Sequence, residues 1–119
     1  MKVAVTSKGK DLDSEVDPRF GRAAYILIVE TEDDTFKVMD NSENVNAFKG
    51  AGIQAAASVG DSGAEVLLTG YCGPNAYKTL NAAGIRVAND VSGTVGEAME
   101  AFKSGRVAFA EEANVDGHW

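Results

Sequence analysis

The sequence is poor in the residues that build covalent cross-links and multi-ligand metal centres. Cys72 is the only cysteine among 119 residues and His118 the only histidine. The chain therefore forms no internal disulfide and no zinc site with several thiolates. The apolar run at residues 1–6 is too short for a signal peptide, and no stretch approaches the length of a transmembrane helix. These absences predict a soluble cytoplasmic protein.

Positive charge is also scarce. Eleven Lys and Arg oppose 18 Asp and Glu, which gives a net charge of -7. Nucleic acids and anionic membranes are bound mainly through cations that neutralise phosphates, so we expect neither as a partner. A small local cationic pocket remains compatible with this balance. The length suits a single domain over residues 1–119 with its own core, of which residues 106–119 form an extended or mobile tail.

The hydrophobic pattern predicts one α/β domain. Helical spacing of Ile53, Ala56, Ala57 and Gly60 marks the first of three helices. Strands alternating with helices after residue 50 imply parallel pairing, whereas the earlier hairpin implies antiparallel pairing. We expect a mixed sheet of about five strands flanked by helices. The strands are predicted at 3–5, 24–30, 35–41, 66–69 and 85–88, and the helices at about 50–59, 74–83 and from 95 to a stop near 105.

A long polar stretch, residues 7–23, joins the first two predicted strands. Connections of this length in a small domain are usually functional or disordered. The stretch carries four of the chain's few cations, which indicates an anionic ligand. Alternatively, its two arginines form surface ion pairs with nearby acids, which contribute little to stability. The cations are Lys8, Lys10, Arg19 and Arg22, and the acids are Asp11, Asp13, Glu15 and Asp17.

The acidic run at residues 11–17 superficially resembles a calcium-binding loop. Val16, however, occupies the position that needs glycine, and Arg22 occupies the position of the bidentate glutamate. We therefore interpret this run as a solvated loop.

Three predicted loops should meet where the parallel strands end, which is where open α/β sheets bind ligands. They span residues 7–23, 70–75 and 89–94, and residues 46–52 lead towards the same edge. Helix N-termini present N–H groups that bind anions, and glycines allow close approach of the backbone. Gly70, Gly73 and Pro74 equally fit a tight strand-to-helix turn. Residues 49–52 lack the spacing of a phosphate-binding P-loop, so nucleotide binding is weakly supported.

Cys72 lies at the start of a predicted helix, a setting that lowers the pKa of a thiol. It is either a metal ligand or a small packed hydrophobe. His118 belongs either to a disordered end or to a flap over a ligand. Its position next to the C-terminus argues against a Cys–His catalytic pair.

Residues 17–23, Asp-Pro-Arg-Phe-Gly-Arg-Ala, together with Tyr25 resemble the Phe-Gly-Arg-Ala signature of the dinitrogenase iron–molybdenum cofactor biosynthesis family. The resemblance covers almost the whole chain. In nitrogen-fixing members, a histidine linked to cofactor binding commonly precedes the Phe-Gly pair, and Arg19 stands there in this sequence. The other matching segments are residues 11–14, 50–56, 70–76, 84–87 and 94–95.

The resemblance implies a ribonuclease-H-like fold and non-enzymatic binding of metal–sulfur clusters. Small stand-alone members of sulfate-reducing bacteria carry a sulfide-bridged molybdenum–copper cluster without covalent attachment, and this chain resembles them in length and acidity. Arg19 in place of histidine suits an anionic cluster held by charge and hydrogen bonds. The resemblance also implies cofactor-assembly or cell-division-related proteins as partners.

Our first hypothesis is therefore a carrier of a molybdenum–copper sulfide cluster, with an iron–molybdenum or iron–sulfur cluster as the alternative. A metal-dependent hydrolase or transferase on the same fold is the second hypothesis, and a protein-interaction module is the third. Cys72 and His118 are the candidate metal ligands. The candidate cofactor-binding residues are Lys8, Lys10, Arg19, Phe20, Gly21, Arg22, Gly50, Gly52, Tyr71, Cys72, Gly73, Pro74 and Asn75.

Overall fold

The computed structural model describes residues 1–41 and 51–110. Within them, a mixed sheet has the strand order β3-β2-β1-β4-β5. Strand β2 runs antiparallel to β1 and β3, whereas β1, β4 and β5 are parallel. The elements are β1 (Lys2–Ser7), β2 (Tyr25–Glu30), β3 (Phe36–Asp40), α1 (Ala51–Asp61), β4 (Val66–Leu68), α2 (Pro74–Ala82), β5 (Arg86–Ala88) and α3 (Val95–Lys103).

This architecture confirms the predicted α/β domain with a mixed five-stranded sheet and flanking helices. The order 3-2-1-4-5, with β1 at the centre and β2 antiparallel to both of its neighbours, is also the arrangement that the term ribonuclease-H-like denotes. Each predicted element is present among the described residues, with small shifts at its ends. The largest difference is at β1, which extends to Ser7 because it pairs with β2 along its whole length. Gly84 and Gly105 follow α2 and α3 with φ of 80° and 72°, as expected of glycines that end helices.

The sheet separates two apolar cores. Helices α1 and α2 cover one face and α3 covers the other. Because successive side chains of a strand point to opposite faces, Val3 and Val5 pack towards α3 while Ala4 packs towards α1 and α2. Strands β1 and β4 are thus buried on both sides, which explains their continuous apolar runs.

The buried face of α1 differs from the predicted one. The structure buries Ala51, Ala55, Ala56 and Val59, whereas the spacing argument used Ile53 together with Ala56, Ala57 and Gly60. Ile53 is 46% exposed. Small alanines face the core because α1 packs closely against α2, which leaves the larger Ile53 side chain outside.

The long stretch between β1 and β2 is not solvated throughout. Val16 bridges to Ser7, and the Asp17 N–H donates to the Thr6 carbonyl at 3.0 Å. Val16, Asp17, Phe20 and Ala23 are buried. The interpretation of residues 11–17 as a solvated loop is therefore wrong for its last two residues, because backbone pairing with the end of β1 draws them inside.

Residues 106–110, the described part of the predicted tail, run beside β5. The Ala110 N–H donates to the Val87 carbonyl at 2.7 Å, and the Arg86 guanidinium lies 3.7 Å from the centre of the Phe109 ring. Residues 111–119 lie outside the described part of the chain. Among the helices of residues 1–41 and 51–110, none is long and apolar enough to cross a membrane.

Candidate cofactor-binding site

The three loops predicted to meet at the ends of the parallel strands do meet. The Tyr71 N–H donates to the Pro18 carbonyl at 2.8 Å, and the Phe20 N–H donates to the Tyr71 carbonyl at 3.3 Å. The loop after β5 joins them, since the Asp90 N–H donates to the Gly70 carbonyl at 2.7 Å and the Val16 N–H to the Gly93 carbonyl at 2.8 Å. Backbone hydrogen bonds therefore fix the loops relative to one another.

A cavity of about 260 Å³ lies beside this junction, and we call it the arginine cavity. Nine of the predicted cofactor-binding residues line it: Arg19, Phe20, Gly21, Arg22, Gly52, Tyr71, Gly73, Pro74 and Asn75. Ile53 and Ala76 complete the lining and were not predicted. An apolar residue within a helix is normally attributed to the core, so nothing in the sequence indicates that Ile53 lines a cavity.

The N-termini of α1 and α2 open into this cavity. Helix α1 begins at Ala51, and its first-turn residues Gly52 and Ile53 line the wall. In α2, the first intrahelical donor is the Tyr77 N–H, which bonds to the Gly73 carbonyl at 2.9 Å. The N–H groups of Asn75 and Ala76 precede it and have no acceptor within the helix. Two partial positive charges thus face one space.

Helix α3 begins differently. The Thr94 hydroxyl accepts from the Glu97 N–H at 3.1 Å, and the Glu97 carboxylate accepts from the Thr94 N–H at 2.9 Å. This is a capping box, and the remaining first-turn donors, the Val95 and Gly96 N–H groups, bond to the Ser14 and Leu12 carbonyls at 2.9 and 2.8 Å. Helix α2 has no side-chain cap at Gly73 and no acidic residue in its first turn, so its positive end remains available to an external anion. The first turn of α1 likewise contains no acidic residue.

Tight packing brings the two open helix ends together. A Cβ on Gly52 would lie 3.1 Å from the Ala76 Cβ, so the first turns of α1 and α2 are in close contact. A Cβ on Gly21 would lie 2.7 Å from the Gly52 nitrogen, so the signature loop lies directly on the start of α1. Glycine is required at position 21 because backbone approaches backbone there, and Gly52 leaves room for the Ala76 side chain.

Arg19 is the cation of the cavity whose contacts are best defined. Its side chain is 54% exposed, and its Nε lies 3.6 Å from Asp17 Oδ1. The alternative that this arginine pairs with a nearby acid is therefore correct for Asp17. Arg19 nevertheless also lines the cavity, as does Arg22. Asp17 was not among the predicted site residues, because its burial depends on pairing with β1.

The two predicted lysines lie elsewhere. Lys8 Nζ is 3.4 Å from Glu15 Oε2, and Lys8 lines a separate cavity on the other side of the loops. Lys10 Nζ lies 5.5 Å from the centre of the Tyr25 ring. The charge around the arginine cavity is therefore carried by the two arginines and the helix ends, not by all four cations of the stretch.

Cys72 is fully buried in the core between the sheet, α1 and α2. Its Sγ lies 3.7 Å from the Gly73 carbonyl oxygen. Burial raises the pKa of the Cys72 thiol to about 12, so the predicted lowering of its pKa at a helix N-terminus is wrong. Desolvation of the thiolate outweighs the helix dipole here. Cys72 does not line the arginine cavity, and it packs as a small hydrophobe.

Gly50 and His118 lie outside the described residues. Within residues 1–41 and 51–110, no three His, Cys, Asp or Glu side chains come together to hold a metal ion. The described lining of the arginine cavity combines cations, backbone N–H groups, the neutral polar side chains of Tyr71 and Asn75, and apolar side chains, with no carboxylate. Such a lining can hold an anion through charge and hydrogen bonds.

Known proteins are similar to most of this chain. The orange protein from Desulfovibrio gigas, solved in its apo form, is 44% identical, with 96% of each chain covered and a TM-score of 0.93. A Thermotoga protein solved by NMR and described as a NifB protein is 39% identical, with 98% of each chain covered and a TM-score of 0.84. An uncharacterized protein of Methanocaldococcus jannaschii is 27% identical over 97 residues, which span 80% of this chain and 82% of that protein.

The family model described as "Dinitrogenase iron-molybdenum cofactor" matches residues 1–105. This match includes the signature loop and every strand and helix that the structure describes. The chain therefore belongs to the dinitrogenase iron-molybdenum cofactor family.

Proposed function

We propose that this protein is a non-enzymatic carrier of an anionic metal–sulfur cluster, bound non-covalently in the arginine cavity. The specific cargo that we propose is a sulfide-bridged molybdenum–copper cluster. The observation that carries the proposal is the convergence of two arginines, the first turn of α1 and the uncapped N-terminus of α2 on one cavity of about 260 Å³. The family and its structural relatives support the broader role, namely a cofactor-binding or carrier protein related to dinitrogenase cofactor biosynthesis.

The chemistry of the lining fits such a cargo. Bridging and terminal sulfides carry negative charge and accept hydrogen bonds from N–H groups, which Asn75, Ala76 and the arginines supply. The exposed apolar groups of Ile53 and Tyr71 line the same cavity. They suit sulfide, which is larger and more polarisable than an oxo ligand. Copper(I) is soft and is matched by the sulfides of the cluster itself, so no protein thiolate is required.

The molybdenum–copper assignment rests on resemblance to the small stand-alone members of the family. An iron–molybdenum or iron–sulfur cluster has the same anionic sulfide surface and is the alternative cargo. A metal-dependent hydrolase would need carboxylates that converge on a divalent cation. Among the described residues, the side chains that line the arginine cavity are not carboxylates, and we do not propose that activity.

Reconstitution tests the proposal directly. Metal-free protein is mixed with tetrathiomolybdate and copper, separated by gel filtration, and examined by visible absorption and metal analysis. We expect a stoichiometric coloured molybdenum–copper species on the protein. Parallel samples with iron and sulfide test the alternative cargo. Retention of iron without molybdenum or copper would replace the molybdenum–copper assignment with an iron-containing cluster. Retention of no metal in any sample would contradict the carrier role.

A matched pair of variants then locates the site. Arg19→Ala should weaken binding about tenfold, since a charge-assisted hydrogen bond to the cargo is lost. Arg106→Ala removes the same charge from an exposed position that lines other cavities, and it should change binding little. Equal losses in the two variants would indicate that only the net charge matters, and would argue against the arginine cavity as the site.

A further inference from the structure

Asp17 is a buried carboxylate that contacts one of the two arginines of the cavity. Its backbone is held by the end of β1: the Asp17 N–H donates to the Thr6 carbonyl at 3.0 Å, and the Asp17 carbonyl accepts from the Thr6 hydroxyl at 2.6 Å. The Thr6 hydroxyl lies in turn 3.0 Å from the Thr69 hydroxyl. Thr6 and Thr69 are fully buried, so Asp17 is fixed to the centre of the sheet.

The contacts of Asp17 with Arg19 are of two kinds. Asp17 Oδ1 accepts from the Arg19 backbone N–H at 3.0 Å, which shapes the turn. The same oxygen lies 3.6 Å from Nε of the Arg19 guanidinium. The Asp17 side chain is 5% exposed, whereas that of Arg19 is 54% exposed. The carboxylate is therefore the fixed partner, and the guanidinium is the group with freedom to turn towards the cavity.

We propose that Asp17 limits the affinity of the arginine cavity for its anion, because its carboxylate competes with that anion for the Arg19 guanidinium. This inference rests on the proposed function. An arriving anion draws the guanidinium away from Asp17, and Asp17 receives it again when the anion leaves. A fixed negative charge beside the site also repels the cargo. Both effects favour release, which a carrier needs as much as binding.

The test compares wild-type protein with Asp17→Asn, using tetrathiomolybdate as the probe. Asparagine keeps Oδ1 as an acceptor for the Arg19 N–H but removes the charge. We expect the dissociation constant to fall about three- to tenfold, mostly through slower release, because the guanidinium is no longer drawn back to a carboxylate and because most affinity differences among variants of one binding site lie in the release rate. Equilibrium dialysis gives the affinity, and stopped-flow absorption gives the release rate.

Two controls separate this competition from simpler effects. Asp13→Asn removes the same charge from the same loop, but Asp13 is exposed and lines a different cavity, so its effect should stay below about twofold. In an Arg19→Ala background, Asp17→Asn should lose most of its effect, because the contested guanidinium is gone. A purely structural role of Asp17 would not produce this dependence on Arg19. Asp17→Ser, which can also accept the turn hydrogen bond, replaces Asp17→Asn if that variant does not fold.

The outcomes distinguish the two proposals. Tighter and slower-releasing binding by Asp17→Asn, dependent on Arg19, supports the competition. Unchanged or weaker binding by folded Asp17→Asn or Asp17→Ser, when the wild type binds normally, overturns the role of Asp17 and leaves the carrier proposal standing. Failure of the wild type and both variants to bind tetrathiomolybdate overturns the role of Asp17 and the molybdenum–copper assignment, whereas the carrier role is overturned only if the iron samples retain no metal either.

Discussion

At the scale of single residues, local environment changes the chemistry that residue type suggests. Cys72 and Arg19 both lie close to the N-terminus of α2, yet Cys72 is fully buried and Arg19 is half exposed. Burial makes the Cys72 thiol a poor thiolate, whereas exposure at the cavity keeps Arg19 available to an anion. The contrast explains why the guanidinium rather than the thiol is central to our proposal.

The raised pKa of Cys72 predicts a specific loss of stability at alkaline pH. The ordinary thiol pKa is 9.0 and the folded-state pKa is about 12. Between these pH values the unfolded chain has lost a proton that the folded protein keeps. The contribution of Cys72 to the free energy of unfolding therefore declines as pH rises from about 9, by up to about 1.4 kcal/mol per pH unit. Below about pH 9 this contribution is fully present.

Denaturant unfolding of wild type and Cys72→Ala over this pH range checks the prediction. Other groups titrate there in both proteins, so the difference between the two free energies of unfolding is the relevant quantity. We expect the advantage of the wild type to shrink as pH rises from 9 towards 11. A difference that stays constant would mean that Cys72 ionises equally in the folded and unfolded states.

At the scale of elements, helices α2 and α3 begin in two different ways. The first turn of α3 is satisfied by its capping box and by carbonyls of the loop at residues 12–14, whereas α2 begins with Gly73 and Pro74, which offer no side-chain cap. The start of α3 is thus completed within the protein, and the start of α2 is left to interact with an anion. The uncapped end of α2 lies at the arginine cavity, while the capped end of α3 lies at other cavities.

Thr94→Ala separates the stability role of α3 from the site. Loss of the capping hydroxyl should lower the free energy of unfolding by about 1 kcal/mol, as measured by urea denaturation. Cargo binding should not change, because Thr94 does not line the arginine cavity. A variant that folds normally but binds poorly would show that the start of α3 takes part in the site.

Gly21→Ala tests the contact between the signature loop and α1. The added Cβ would lie 2.7 Å from the Gly52 nitrogen and 2.8 Å from its Cα, so loop and helix must separate. We expect about 1–3 kcal/mol of destabilisation and a clear loss of cargo binding, measured by denaturation and by reconstitution.

Gly60→Ala is the matched control. Its Cβ would meet the Ala83 Cβ at an ordinary 3.6 Å, within α1 but away from the cavity. Alanine favours a helix by up to about 1 kcal/mol over glycine, so this variant should be as stable as the wild type or more so, and bind cargo normally. Full cargo binding by Gly21→Ala would contradict the importance of the loop–helix contact.

At the scale of the whole molecule, a net charge of -7 surrounds a cavity that carries two arginines. The overall field repels an anion, and the cavity attracts it at short range. At about 0.1 M salt, charges more than about 10 Å apart are largely screened from one another, so added salt weakens the repulsion by distant charges first. Competing anions, by contrast, displace the cargo from the cavity itself. The direction of the salt dependence therefore reports which of the two effects governs binding.

We expect cargo binding to weaken as sodium chloride rises to about 0.5 M, because contacts at the cavity dominate and chloride competes for them. Equilibrium dialysis of the reconstituted protein over this range measures the effect, and a neutral osmolyte serves as the control. Binding that strengthens with salt would mean that repulsion by the net charge exceeds the attraction of the cavity.

Most of the fold could be predicted because local patterns carry it. Apolar runs such as Val66–Leu68 produced buried strands, and Pro74 and Gly84 marked the two ends of α2. The buried face of α1 could not be predicted in this way. Which of its small residues face the sheet depends on how closely α2 approaches, and helical spacing alone does not record that distance.

The candidate site was predictable in part for the same reason. The signature loop and the loop at residues 70–75 were expected to meet, and they do, because parallel strands end at one edge of a sheet. The exclusion of Lys8, Lys10 and Cys72 from the cavity was not predictable, since it follows from the partners that each side chain finds in three dimensions.

The sequence by itself determined the α/β class, the order of the elements, the family resemblance and the concentration of cations in one loop. These are properties of local pattern and residue type. Only the tertiary structure decided that Asp17 is buried beside Arg19, that Ile53 faces outwards, and that two helix N-termini share one cavity with two arginines. The physical reason is that burial and electrostatic partnership arise between residues distant in the chain, and those distances are fixed only when the sheet and helices pack.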